Sequence, residues 1–304
     1  MKKVFTLVAA FYLGFPAYCQ QEDYFLKRGL EKYLKNDFSG AIIDYSKALD
    51  INPNNAETYF NRGLAKLYAQ DYGGAITDFT NSIEINPELS MCYSYRGNAK
   101  YSLRDYQGAI EDYTKAIGLN PRFAIAYNNR GLVRYEINDF GNAVEDYNKA
   151  IEINPSYDKA YNNRGLTKYA LNDLVGAVSD YTRALEINPG NSAAYHNRAI
   201  IRHLQNDFAG AISDYNKGIR LNSGNFEFYF RRGLAKAGSG QTRAAIRDFT
   251  RTLEIDPEYA DAYYHRGIQK NKLGSIESAC LDLGKARELG FDIPDHVMRD
   301  ICKD

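Results

Sequence analysis

The sequence predicts an all-α solenoid built from a tandem repeat, and three observations predict it. The segment AYNNRG stands at 126–131 and again at 160–165, a step of 34 residues. The same step carries ETYFNRG (57–63), MCYSYRG (91–97), AYHNRA (194–199), EFYFRRG (227–233), DAYYHRG (261–267) and a degenerate DYFLKRG (23–29). A second marker, INP or a variant of it, keeps the same phase from 51–53 to 255–257 with no residue inserted or lost. Third, each repeat holds two short amphipathic helical patterns, and neither can bury its apolar stripe alone. A pair that must lean on the next pair stacks into an array.

Taken in order, residues 1–19 (MKKVFTLVAAFYLGFPAYC) open with two lysines, continue in an apolar run and end in Ala17-Tyr18-Cys19 before Gln20. This pattern predicts a secretory signal with cleavage before Gln20, hence an exported (periplasmic or secreted) chain. The other reading is a lipid anchor on Cys19, although Tyr18 stands where a small residue normally precedes a lipidated cysteine. The apolar run is too short to span a bilayer well and stops at Pro16, so no integral membrane span is expected.

Eight units follow, at 22–55, 56–89, 90–123, 124–157, 158–191, 192–225, 226–259 and 260–293. In the fourth, the block 124–137 reads as a first helix and Asp139 as the N-cap of a second, which stops before Asn154-Pro155. Pro155 cannot continue the helix behind it. Ala143, Tyr147 and Ala150, with Val144 and Ile151 beside them, define the buried stripe of the second helix. Residues 294–304 form a capping segment: Pro294 marks a helix start, and Ile293, Val297 and Ile301 at i+4 spacing suit the open edge of the last unit. Export permits disulfides. Cys280 in the last unit and Cys302 in this segment either form a bridge stapling the segment down or leave Cys280 as a small core residue. Cys92 lies in the first helix of the third unit. No CxxC or HxxxH accompanies the cysteines, so no metal and no cofactor are expected.

A 34-residue helix-turn-helix with Tyr127, Gly131, Ala143, Tyr147, Ala150 and Pro155 at these offsets resembles the tetratricopeptide repeat (TPR) family. The resemblance covers the eight units and implies a right-handed superhelix whose first helices line a concave groove. The chain departs from the usual pattern in its charges. Arginine precedes the glycine position in every unit, from Arg28 to Arg266; Lys or Arg follows it four residues on, from Lys32 to Lys270; and Asp recurs in every second helix, from Asp44 to Asp282. The two basic residues share a face, while the Asp borders the apolar stripe and needs a partner there. One reading is a basic binding stripe. The favoured one is an ion-pair ladder clamping the helices, exemplified by Arg130–Asp146 and Arg164–Asp180, because a feature of every unit serves packing, which every unit shares.

In the TPR family the residues three before, one after and four after the glycine line the groove, with the residue two before at its border. Here that face is apolar or aromatic at the ends and amide-rich in the middle: Asn98, Asn128, Asn162, Tyr135, Tyr169, His196 and His203, bordered by Asn129, Asn163 and Asn197. The border asparagines resemble the amide ladder of the TPR superhelix in O-linked N-acetylglucosamine transferase, which holds an extended peptide by its backbone. An amide both donates and accepts, so it matches a peptide group whatever the side chain. The carboxylate clamp of co-chaperone TPR domains is matched only in part: Asn98, Asn129 and Lys159 are present, but Ser94 and Asn163 stand where cations belong. Lys159 is left as the cation of that face. His196 and His203, seven apart without a neighbouring carboxylate or thiol, make a poor metal or acid–base pair.

Lysine plus arginine and aspartate plus glutamate balance at 38 each, which argues against nucleic acid as the partner. No P-loop, Ser/His/Asp arrangement or glycine-rich dinucleotide turn is evident. The expected function is a non-enzymatic scaffold for protein–protein interaction, binding a protein or peptide partner in the concave groove. Self-association into homo-oligomers through exposed repeat ends is the alternative, and an enzyme using His196 and His203 is a distant third.

Overall fold

The computed structural model describes residues 20–302, all helices and turns with no strand among them. They form two compact units that divide after Pro155. The first contains α1 (20–34), α2 (Phe38–Ile51), α3 (Ala56–Tyr68), α4 (Tyr72–Ile85), α5 (Ser90–Ser102), α6 (Tyr106–Leu119), α7 (Ala124–Glu136) and α8 (Phe140–Ile153). The second contains α9 (Asp158–Ala170), α10 (Leu174–Ile187), α11 (Ser192–Leu204), α12 (Phe208–Leu221), α13 (Phe226–Gly238), α14 (Thr242–Ile255), α15 (Ala260–Lys272), α16 (Ile276–Glu288) and the short α17 (Asp295–Ile301). Odd-numbered helices through α15 are the first of each repeat, even-numbered ones the second. The expected signal segment and Cys19 lie outside the described residues.

The turn inside each repeat is set by two residues. The first helix ends at a residue with positive φ, Asn36, Gln70, Arg104, Asn138, Asn172 or Asn206, and glycine at 240 and 274. Asparagine and glycine suit this left-handed step because their Cβ penalty is small or absent. The next residue caps the second helix: Asp37, Asp71, Asp105, Asp173 and Asp207 each accept from the backbone N–H three residues on. That third residue is glycine each time, and a Cβ on Gly40 would lie 2.1 Å from a carboxylate oxygen of Asp37. Asp139 departs from the expected cap, because Asn142 occupies the glycine position. Its carboxylate instead accepts from the Asn142 side-chain amide at 2.9 Å.

Packing within a repeat depends on a second close approach. The ring of the second helix reaches under the first at the repeat glycine, so a Cβ on Gly131 would meet the Tyr147 ring at 2.8 Å. Tyr45, Tyr113, Tyr147, Tyr181 and Tyr215 and, in the second and seventh repeats, Phe79 and Phe249 fill this space and are fully buried. Alanines at 41, 75, 109, 143, 177, 211, 245 and 279 complete the stripe with no exposed surface.

The eight aspartates from Asp44 to Asp282 are buried within this apolar stripe. In every repeat the arginine before the glycine position grips the aspartate 16 residues on as a fork; in the fourth, Arg130 Nε and Nη2 donate to Asp146 at 3.0 and 2.7 Å. The Lys or Arg four residues later reaches the same carboxylate, at 2.8 Å for Arg134 and 2.7 Å for Lys236. The remaining guanidinium nitrogen turns to the preceding repeat. Arg62, Arg96 and Arg130 donate to Ser46, Thr80 and Thr114, and Arg198, Arg232 and Arg266 to Thr182, Asn216 and Thr250. Each guanidinium also lies over the ring three or four residues before it, as Arg130 over Tyr127 at 5.7 Å. Arg28 turns its outer nitrogen to Tyr24 instead and is 37% exposed, against 9% for Arg198.

The end of the second unit is closed by α17. Ile293 and Ile301 are buried against Ala279, Leu283 and Ala286, with Val297 and Phe291 around them. The structure places Cys280 and Cys302 in a disulfide with Cα atoms 5.5 Å apart, and Cys92 is a free, buried thiol sharing a hydrogen bond with Ser82.

If the ladder clamps the helices, Asp146→Ala leaves two half-buried cations, Arg130 and Arg134, without their carboxylate and should cost about 3 kcal/mol. Asn129→Ala, which removes neutral amide bonds, should cost about 1 kcal/mol. Chemical denaturation of the two variants separates these outcomes, and equal losses would return the basic residues to a binding role.

Candidate functional site

The first helices carry the predicted binding residues, and the structure sorts those residues into two rows. In the row three before the glycine some residues face inward, against expectation. Ser94, Asn128 and Phe230 are buried, and His196 packs edge-on against Tyr215 and Phe228 at centroid distances of 6.2 and 5.4 Å. The cause is the ring that passes under the glycine: a helical side chain leans toward its own N-terminus, so the residue one turn earlier lands on that ring.

The border row stays accessible. In the first unit, Asn129 Nδ2 on α7 donates to Asn98 Oδ1 on α5 at 3.0 Å, and the same oxygen accepts from Tyr113 at 2.7 Å. Asn128 Nδ2 in turn donates to Asn129 Oδ1 at 3.1 Å. A chain of amides thus runs from one repeat to the next, with one end anchored on a buried phenol. Tyr135 stands half-buried beside this chain, tilted against Phe140 at 5.5 Å. In the second unit, Asn163 and Asn197 are half-buried, Tyr169 is exposed and Lys159 is exposed at the start of α9. Asn162 Nδ2 donates to Asn163 Oδ1 at 3.4 Å, and Asn162 Oδ1 is buried with no hydrogen-bond partner among the described residues.

Three of the four histidines, His196, His203 and His265, serve packing. His203 is edge-on to Phe208 at 5.3 Å and His265 stacks on Phe249 at 5.9 Å. Burial, and for His196 and His203 the nearby Arg231 charge, lowers all three below the ordinary imidazole value. No group of three His, Cys, Asp or Glu side chains able to hold a metal occurs among the described residues.

Three features escaped the sequence reading. Arg231 stands in the border row of the seventh repeat, in register with the asparagines, so Lys159 is not the only cation of that face. Ser46, Thr80, Thr114, Thr182, Asn216 and Thr250 recur at the repeat period as the arginine acceptors, a signal present in the sequence but dispersed over three residue types. Finally, Glu22 accepts from Asn52 and Asn55, and Asp158 from Asn188 and Asn191, tying the start of a first helix to the turn that ends the same repeat.

These groups set the response to acid. Burial would raise the Asp44 carboxyl, but hydrogen bonds from Arg28 and Lys32 outweigh it and hold the group below its ordinary value. Its contribution is therefore present above the unfolded carboxylate value and lost as pH falls through the folded one. The histidines act in the same sense, since their lowered folded values make the unfolded chain bind more protons as pH falls from about 6.5. Melting temperature should decline between pH 7.5 and 5.5, and again, more steeply, in the carboxylate range. A melting temperature flat from 7.5 to 5.5 would contradict neutral, packed histidines.

Comparison with known proteins agrees with the geometry. Family models described as TPR repeat match residues 29–68, 97–138 and 131–172, and models described as tetratricopeptide repeat match 56–89, 158–191, 180–213 and 230–279. No curated protein sequence matches. Among solved structures, a MamA protein is 30% identical over 56% of this chain and 93% of its own, with a TM-score of 0.51. YrrB, described as a TPR protein with an unusual peptide-binding site, is 26% identical over 64% of this chain and 98% of its own, with a TM-score of 0.57. PilF of Pseudomonas aeruginosa, at 18% identity over 70% of this chain and 96% of its own, shares the fold with a TM-score of 0.61. With the repeat glycine, the buried ring beneath it and the proline after the second helix all in phase, the chain belongs to the tetratricopeptide repeat family.

Proposed function

We propose that the chain is an exported, non-enzymatic scaffold that binds an extended peptide or partner helix along the face of its first helices. The observation carrying this reading is the amide chain from Asn98 to Asn129 in the first unit, and the same sequence position carries Asn163 and Asn197 in the second. Asparagine is a mediocre helix former, so a recurring pair of them in mid-helix invites a role beyond solvation. Membership of a family of protein-interaction scaffolds supports it, as does the peptide-binding site named for YrrB. In the middle repeats the ladder arginines and lysines are bound to the buried aspartates, so they are not offered to a ligand. Recognition there rests on amides and tyrosines, Tyr135 and Tyr169, with Lys159 at the edge.

Export is proposed from the lysine-led apolar head and the Ala17-Tyr18-Cys19 junction alone. Intact mass of secreted protein should correspond to a chain beginning at Gln20. A lipid adduct on Cys19 or a retained head would overturn simple cleavage.

A peptide lying along the amide row exchanges water for hydrogen bonds worth about 0.5–1.5 kcal/mol each, so affinity should be micromolar and distributed. Replacing Asn129, Asn163 and Asn197 together by Ala should weaken a partner recovered by pull-down at least about tenfold, or roughly 1.4 kcal/mol, with little change in helicity. Normal binding by the triple variant would move the interaction to another surface.

A further inference from the structure

The exposed sides of the second helices follow a charge rule in which a base has an acid three residues on. Lys149 pairs with Glu152 at 2.7 Å, Arg183 with Glu186 at 2.9 Å, Arg251 with Glu254 at 2.7 Å and Lys285 with Glu288 at 2.7 Å. The sixth repeat breaks the rule. Lys217 occupies the base position on α12, but Arg220 stands where the acid belongs, and both are exposed. On α14 of the seventh repeat, Arg243 and Arg247 join Arg251 at i, i+4 and i+8, so three exposed guanidinium groups share one side of the helix over about 12 Å. Among the described residues Lys217, Arg220, Arg243 and Arg247 make no ion pair. The two helices are joined at this surface: Arg251 lies over the Tyr229 ring at 5.8 Å, and the Tyr229 hydroxyl donates to the carbonyl of Ser223, three residues beyond Arg220, at 3.3 Å.

We propose that the exposed sides of α12 and α14 form a docking surface for an acidic, Asp- or Glu-rich segment of a partner protein, separate from the face of the first helices.

Charge balance carries the argument. Within α12 and α14 the acids are Asp214 and Asp248, both buried in the ladder, and Glu254, which Arg251 already holds. The second helices on either side are balanced again: α10 sets Arg183 against Glu186, and α16 sets Lys285 and Arg287 against Glu277 and Glu288. The excess of positive charge is therefore confined to a strip two helices wide. The register itself indicates the ligand chemistry. In four repeats a carboxylate of the same chain meets the base of this position, and in the sixth a second cation has replaced it, so a complementary carboxylate can come only from outside. The arginine forks suit that group. A single-stranded nucleic acid needs aromatic platforms, and Tyr195 and Tyr229 are already covered by Lys217 and Arg251. A membrane surface needs apolar side chains to enter the acyl boundary, and among the described residues of these two helices Leu221 is the one large apolar side chain that is exposed. Exposed ion pairs are individually weak and screened by salt, so the surface acts through several cations at once.

The test is fluorescence anisotropy of a labelled octaglutamate peptide titrated with the full chain, with octaglutamine as the neutral probe. Octaglutamate should bind and octaglutamine should not, and affinity should fall at least about tenfold as salt rises from about 0.05 to about 0.3 M. The triple variant Arg220→Glu/Arg243→Ala/Arg247→Ser gives each position the residue that the preceding repeat holds there, Glu186, Ala209 and Ser213. It should therefore fold, with a melting temperature close to that of the parent, and bind octaglutamate at least about tenfold more weakly. Arg220→Glu alone, which restores the acid of the rule beside Lys217, should weaken binding by roughly threefold. The Asn129/Asn163/Asn197 triple alanine variant should bind octaglutamate normally, because the amide row is a different surface. Equal binding of octaglutamine, or unchanged binding by the folded charge variant, would overturn the proposal. So would tighter, charge-variant-sensitive binding to phosphatidylglycerol vesicles or to an oligothymidylate than to octaglutamate, which would assign the strip to a membrane or to a nucleic acid.

Discussion

One guanidinium per repeat sets the geometry on which the rest of each unit depends. Two of its nitrogens fork onto the buried aspartate of its own second helix, its face rests on a neighbouring aromatic ring, and in Arg62, Arg96, Arg130, Arg198, Arg232 and Arg266 a third reaches the preceding repeat. The planar, five-donor group alone satisfies these demands together; a lysine has neither the fork nor the flat face. Buried ion pairs are poor evidence of net stabilisation, because desolvation offsets much of the Coulomb attraction. What this pair does supply is register. An aspartate inside an apolar stripe tolerates only the alignment in which its forked partner arrives, so a slipped helix pair would bury a bare carboxylate. Gly284 illustrates the rule from the other side: it stands in the acceptor register of the last repeat, which has no following arginine to satisfy.

Because the frame is held by positions inside the repeat, the outward positions of the first helices are released from packing and free to differ. That freedom is where function can enter. The border row changes from asparagine to arginine between repeats six and seven without disturbing the glycine, the ring beneath it or the ladder. The inner row has less freedom, since whatever stands there must pack on a tyrosine or phenylalanine. Histidine at 196 is therefore better understood as an aromatic neighbour first, its titration a property conferred by that packing.

Much of the fold was legible in the sequence, because a repeat states each rule several times. The first and second helices of the fourth repeat end within a residue of the boundaries that Asp139 and Asn154-Pro155 suggest. The arginine and aspartate registers pointed to each other for the same reason. The misplacement of Asn128 and His196 had a physical origin: helical spacing tells which residues share a face, but the ring that fills the space under the glycine comes from another helix. Arg231 is the first of two adjacent arginines, and only the second, Arg232, keeps the ladder period. The acceptors of the third guanidinium bond went unread because serine, threonine and asparagine do the same work there and no single letter repeats.

The first repeat shows how the same logic limits assembly. In every later repeat two positions of the first helix are buried, held by residues such as Thr58 and Ala65, Cys92 and Ala99, or Ala126 and Val133. The corresponding residues on α1 are Tyr24 and Glu31, both exposed. A second copy stacking a helix pair on this edge in the manner of a further repeat would bury the Glu31 carboxylate with no cation provided for it, and an unpaired buried charge costs more than such a contact returns. Arg28 has already turned its outer nitrogen to Tyr24 and so does not wait for a serine or threonine from another chain. At the other edge, α17 and the Cys280–Cys302 disulfide cover the apolar surface of Ala279 and Leu283. Both edges are thus poor receptors for another repeat, which leaves the faces of the first helices as the surfaces best furnished to receive a partner.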